Sequence, residues 1–235
     1  MLLSEEQRMI RDAARTFSRE RLAPHSAEWD RNATFPREAL RAMGQLGFLG
    51  MTVPPEWGGA GADYVAYALA LEEIAAGDGA TSTIMSGHNS VGCMPILEYG
   101  SVAQKERYLR PLARGEKLCA FCLTEPQGGS DASALTTRAE RRGEGYALRG
   151  TKQFITTGRN ADVALVFAVT DAAAGKRGIS AFIVETANPG YKVVRTEKKM
   201  GQNASDTCEI MLDHALGPAD ALLGREGEGY RIALS

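Results

Sequence analysis

The chain has 235 residues, 44% hydrophobic and 24% charged, with a formal net charge of −2 and a pI near 6.0. That is length for one large domain or two small ones with ample core, and it lacks the basic balance of a nucleic-acid binder. No apolar run reaches the length of a bilayer span. The opening MLLSEEQRMI shows no charged leader followed by an apolar stretch, and the early acids Glu5, Glu6 and Asp12 argue against a transit peptide, so a cytoplasmic location without membrane insertion is expected.

Residues 1–117 read as an all-helical domain. Ser4 with Gln7 is a capping box, and Met9, Ile10, Ala13, Ala14 and Phe17 then recur on one helical face. Pro24 is predicted to end that segment, and Pro36 to open the next at its first helical position. VPPEWGGAGAD, Val53 to Asp63, is a loop. Asp63 is placed as the cap of an apolar helix running through Ile74, a second buried helix is predicted over Thr83–Tyr99, and Ser101 with Gln104 makes another capping box.

From Leu118 the period changes to two. Thr137–Arg142, the turn Gly143-Glu144-Gly145 and Tyr146–Leu148 make a hairpin, and further strands are predicted over Gln153–Thr156, Val163–Thr170, Ile179–Val184, Tyr191–Thr196 and Thr207–Leu212. Short strands with Gly- or Pro-marked turns point to an antiparallel sandwich or barrel over 118–228. At 229–235 the helical pattern resumes. The class is therefore α+β with several domains.

Three decoys fail on physical grounds. Cys119 and Cys122 form a CxxC, but on a strand positions i and i+3 face opposite sides, about 10 Å apart along the chain. The two read as small buried thiols. Gly145 to Lys152 approaches a phosphate-binding loop, but its last two residues are in the wrong order and a strand, not a helix, follows. His25, His88 and His214 are scattered, with no cysteine cluster beside them, so no metal site is expected.

The stretch LTEPQGGSD, Leu123 to Asp131, places Gly128, Gly129, Ser130 and Asp131 in succession just after an apolar strand. Such a run exposes several backbone N–H groups together, suited to anions or the polar edge of a ring. FCLTEPQGGSD (Phe121 to Asp131), followed by GTKQFITTG (Gly150 to Gly158), resembles the paired signature of the acyl-CoA dehydrogenases. VPPEWGGAG, EKKMGQNASDTCEIMLD and LLGREGEGYRIAL are similar to that family in the same order, so the resemblance covers essentially the whole chain.

The resemblance implies FAD as cofactor, an acyl-CoA substrate, electron-transfer flavoprotein as electron acceptor and a homotetramer. The family's reaction removes an α-proton from an acyl thioester and passes a β-hydride to flavin N5, which gives the trans-2-enoyl-CoA. Flavin contacts are implied at Phe121, Leu123, Thr124, Gly129, Ser130, Phe154, Ile155 and Thr156, with Phe154 against the ring face and the Thr156 hydroxyl near N5. Ser130, Lys176 and Arg177 are implied as CoA contacts. Many members carry Trp at the position of Phe154 and Tyr at that of Phe121, and both departures keep an aromatic platform. The look of SGHNSVGCMPILEYGS is closest to short- or branched-chain members.

The resemblance also implies a C-terminal four-helix domain, absent from this sequence, that supplies the catalytic glutamate. No catalytic base is therefore expected here, and Glu125, before Pro126, is read as a turn residue. Two other readings stay open: a flavin monooxygenase or nitroalkane oxidase on the same architecture, and a non-catalytic module.

Overall fold

The computed structural model describes residues 2–235. Helix α1 (Glu5–Phe17) starts at Ser4, whose side chain accepts from Gln7 N while Gln7 caps in return. Pro24 does not stop the chain. The helix passes through a π turn at Ser18–Leu22, and Pro24 falls in the first turn of α2 (Ala23–Asn32), where its missing N–H costs nothing. Pro36 is the cap of α3 (Arg37–Gln45) rather than its first residue. Helix α4 (Tyr64–Gly77) is capped by Asp63, which accepts from Ala66 N at 2.7 Å. These helices enclose one core, with Phe17, Leu40, Met43, Ala70, Ile74 and Met85 among its buried members.

Asp78 caps the next helix, so α5 (Gly79–Gly87) begins four residues before the expected Thr83. It leads through a π segment at His88–Cys93 into α6 (Met94–Tyr99). The π turn directs His88 and Asn89, adjacent polar residues, both into the interior, where most of their partners lie far along the chain. The Asn89 amide is fully used there, donating to Phe48 O and Met85 O and accepting from Met51 N. The short α7 (Val102–Gln104), again with its capping box, leads to α8 (Arg110–Ala113).

Strand β1 (Cys119–Cys122) enters the second half, followed by β2 (Arg138–Arg142), β3 (Gly145–Thr156), β4 (Val163–Val169), β5 (Ile179–Glu185), β6 (Tyr191–Thr196), β7 (Thr207–Gly217) and β8 (Leu222–Leu223). They form one sheet in the order β6-β7-β3-β2-β4-β5-β8, with β1 joined to β4. Most pairings are antiparallel, as the turn signals indicate. Two are not: β1 runs parallel to β4, and β2 meets β4 in parallel at Arg138 and Val169, so the sheet is mixed. Strand β3 merges the expected hairpin arm with the expected strand at Gln153–Thr156.

Strand β4 shows how the layers are held. Val163, Leu165 and Phe167 face the helical side with Ile96, Leu109 and Leu112. Ala164, Val166 and Ala168 face the curled inside of the sheet with Leu148, Ile210 and Leu212. A strand covered on both faces must be apolar throughout, and VALVFAV is. Cys119 and Cys122 follow the same alternation, one in each core, as free buried thiols. The chain ends in α9 (Gly229–Ala233), whose Ile232 joins the helix-facing core.

Candidate active site

A cleft of about 840 Å³ opens between α4, α5 and the π segment on one side and β1 and β3 on the other. Phe121, Thr124, Phe154 and Thr156 line it together with His88 and Cys119. A second cavity of about 200 Å³ shares Ser90, Val91 and Phe121 with it and continues past Met94 and Pro95. Phe121 stacks at a tilt on Phe167, 4.9 Å between centroids, which fixes its ring between the two spaces.

Phe154 is the unusual residue. Its φ of +58° is left-handed, and the pairing of β3 with β7 breaks between Lys152 and Ile155. In a regular strand Lys152 and Phe154 would share a face. The bulge separates them: Lys152 is fully buried, while the Phe154 ring is turned out, 60% exposed, on the cleft wall. A non-glycine residue held at positive φ stores strain of order 1–3 kcal/mol, and such strain collects at functional sites. Nothing in QFIT announces it; aromatic and β-branched residues in a row predict a smooth strand.

The other expected contacts divide. Among the described residues, the cleft-lining hydroxyls of Thr124 and Thr156 have no hydrogen-bond partner within the protein; the N–H groups of Gly129 and Ser130 have none either, but neither residue lines the cleft. Ile155 points away, 2% exposed in the interior of the sheet, and does not line the cleft. Leu123 packs on the helix-facing core, and its carbonyl is taken by Lys152 Nζ at 3.0 Å. Gly129 lies close to Thr124: a Cβ there would stand 3.0 Å from Thr124 Cγ2, a tight contact. Lys176 and Arg177 lie on the turn at Ala172–Gly178, with Lys176 4.9 Å above the Tyr230 ring. Hydrogen bonds from Ser133 hold the Asp131 carboxyl below its ordinary range, with a smaller contribution from Lys176; neither Lys176 nor Arg177 lines the cleft.

Glu125 is structural, as its place before Pro126 suggests. It is 3% exposed and meets Lys152 at 2.7 Å. Its carboxylate also accepts from the backbone N–H groups of Thr136 and Thr137, the Thr136 hydroxyl and the Gln127 amide. Burial alone would raise its pKa, but Lys152 and these donors bring it down to about 2. Lys152 itself is the residue that sequence reasoning missed. In the sequence it falls between the strands predicted at Tyr146–Leu148 and Gln153–Thr156, at the end of the rejected phosphate-loop match.

The family models of the acyl-CoA dehydrogenase N-terminal domain and middle domain match residues 4–116 and 120–215. The chain belongs to the acyl-CoA dehydrogenase family. It is 44% identical over 235 residues to an acyl-CoA dehydrogenase of Bacillus subtilis, covering all of this chain and 62% of that protein. It is 42% identical to the human mitochondrial short-chain specific acyl-CoA dehydrogenase, covering 99% of this chain and 56% of the relative. Among solved structures, butyryl-CoA dehydrogenase of Megasphaera elsdenii superposes with a TM-score of 0.96 at 38% identity, over all of this chain and 62% of the other. A glutaryl-CoA dehydrogenase of Mycobacterium smegmatis in complex with FADH2 gives 0.92 at 39% identity, over 99% and 58%. The chain thus spans about three fifths of the length of these family members. No helix among the described residues is long and apolar enough to cross a membrane.

Proposed function

We propose that this chain forms the flavin-holding part of an enzyme that oxidises an acyl-CoA thioester between Cα and Cβ to the trans-2-enoyl-CoA, with FAD as cofactor. The observation that carries the reading is the convergence of Phe121, Thr124, Phe154 and Thr156 on one cleft large enough for a ring system. These residues fit a flavin. An outward aromatic ring suits a planar face, and two hydroxyls without protein partners suit a polar edge.

FAD bound there supplies a hydride acceptor, which no side chain can be. The chain's own part is to hold and orient. Phe154 offers its face, Thr124 and Thr156 offer hydroxyls, and Gly129 and Ser130 offer free N–H groups. Lys176 and Arg177, on the turn at Ala172–Gly178, supply positive charge for the phosphates of CoA on a chain that is net acidic. The short-chain specific and butyryl-CoA relatives support a short acyl group, and a branched one of similar size belongs to the same proposal. So do electron-transfer flavoprotein as acceptor, a homotetrameric assembly and a cytoplasmic location.

The test is a screen of the natural full-length protein, loaded with FAD, against thioesters from butyryl to palmitoyl and their branched analogues, with a dye as acceptor. Turnover concentrated on short or branched thioesters is the expected result. No turnover on any thioester with the flavin fully loaded overturns the reading.

A further inference from the structure

Lys152 and Glu125 are both removed from water, and their charges meet at 2.7 Å. A buried ion pair rarely stabilises a fold more than apolar residues of the same shape, because desolvation offsets the attraction. Its presence asks for another reason, and its neighbours supply one. Lys152 Nζ also donates to Leu123 O, and Gln153 N donates to Thr124 O at 2.9 Å. Glu125 holds the far end of the same loop through the N–H groups of Thr136 and Thr137, and Glu125 N and Gly128 N exchange bonds with each other's carbonyls. Both ends of the 123–137 loop are therefore tied to one point on β3. That point lies one residue before the bulge that turns Phe154 outward. Thr124, just past the end of β1, and Phe154 and Thr156 of β3 lie next to each other on the sheet side of the cleft.

We propose that Lys152 and Glu125 are positioning residues that set the placement of Thr124 relative to Phe154 and Thr156 on the sheet side of the cleft, and so the fit of the flavin against them. The proposal rests on the flavin reading above for its ligand, not for its geometry. Neither side chain lines the cleft; both act through the backbone they hold. Other polar groups at the pair are Gln127, Thr136 and Thr137 on the loop, with the buried Cys122 thiol close by on β1.

The experiment compares the 235-residue chain with Glu125→Gln, Lys152→Met and the double variant. Three quantities are read on each: thermal stability, amide hydrogen exchange across 123–137 and 153–158, and FAD affinity from quenching of flavin fluorescence. Lys152→Met strands a buried carboxylate and lowers the melting temperature, and the double variant, with no buried charge left, regains it. In the double variant the loop amides are expected to exchange about tenfold faster than in the wild type, with β4 and β5 unchanged. FAD affinity is expected to stay weakened by a similar factor. A purely stabilising role predicts the opposite: loop exchange and FAD affinity return with the melting temperature, and that result overturns the proposal.

If Lys152→Met does not fold, Glu125→Gln decides. It keeps the shape but sets an amide against the surrounding donors, and unchanged loop exchange in that variant also overturns the proposal. A wild-type chain that takes up no FAD at any concentration counts against the cofactor reading, while the exchange data still decide the positioning role.

Discussion

Thr156 shows what one side chain contributes. Its hydroxyl lines the cleft without a protein partner, on the strand that also turns Phe154 outward. Thr156→Val keeps shape and β-branching, so the fold is expected to be unchanged. The loss of one hydrogen bond to bound flavin is expected to cost about 0.5–3 kcal/mol in flavin affinity or in the barrier to flavin reduction. Titration of FAD and the anaerobic reduction rate of the full-length protein check it; if neither moves, Thr156 is only a strand residue. At this scale the resemblance singled out Phe121, Thr124, Phe154 and Thr156, and those four line one cleft. The sequence was silent on Lys152, because burial of a lysine depends on a carboxylate 27 positions away. It was equally silent on the left-handed Phe154, because no local rule puts an aromatic residue there.

His88 joins three elements at once. From the π segment at His88–Cys93 its Nε2 meets Leu112 O of α8 at 2.9 Å, and its Nδ1 accepts from Cys119 N of β1 at 3.3 Å. Nε2 therefore carries the proton, and a second proton on Nδ1 would face the Cys119 N–H. Burial lowers the pKa to about 4, partly offset by the Leu112 carbonyl and by Asp162. The unfolded chain titrates near about 6.5. Above that value the imidazole is neutral in both states and the strut is intact. As pH falls from 6.5 towards 4 the unfolded state takes up the proton first, so stability declines across that window. His88→Gln is expected to have a flatter dependence of melting temperature on pH between 6.5 and 4.5 than the wild type, and parallel slopes would refute the assignment. Helix caps at Ser4, Asp63 and Ser101 were readable because each is settled within four residues. The π turns and the parallel β1–β4 pairing were not, since each answers to partners far along the chain.

Across the whole molecule, the distribution of acids around the cleft decides what the chain can do alone. Taking an α-proton from a thioester needs a carboxylate held within hydrogen-bond reach of the substrate. Among the described residues, the one carboxylate lining the main cleft is Glu72, and the one lining the adjoining cavity is Glu98. Both are exposed on helix surfaces, α4 and α6, with no hydrogen bond holding either in place. Glu125 is near in sequence to the cleft-lining Phe121 and Thr124 but is locked against Lys152 and four further donor groups, with a pKa of about 2. A base so strongly stabilised as an anion accepts a proton poorly, and its oxygens are already occupied. The 235-residue chain mixed with excess FAD and butyryl-CoA without oxygen is therefore expected to leave the flavin absorbance unbleached on the timescale of catalysis. Full-length protein under the same conditions is expected to bleach. Rapid bleaching by the 235-residue chain would mean that a base lies within these residues. Glu72→Gln and Glu98→Gln would then show which of the two it is, because a substitution that removes the proton acceptor abolishes bleaching while leaving FAD affinity unchanged.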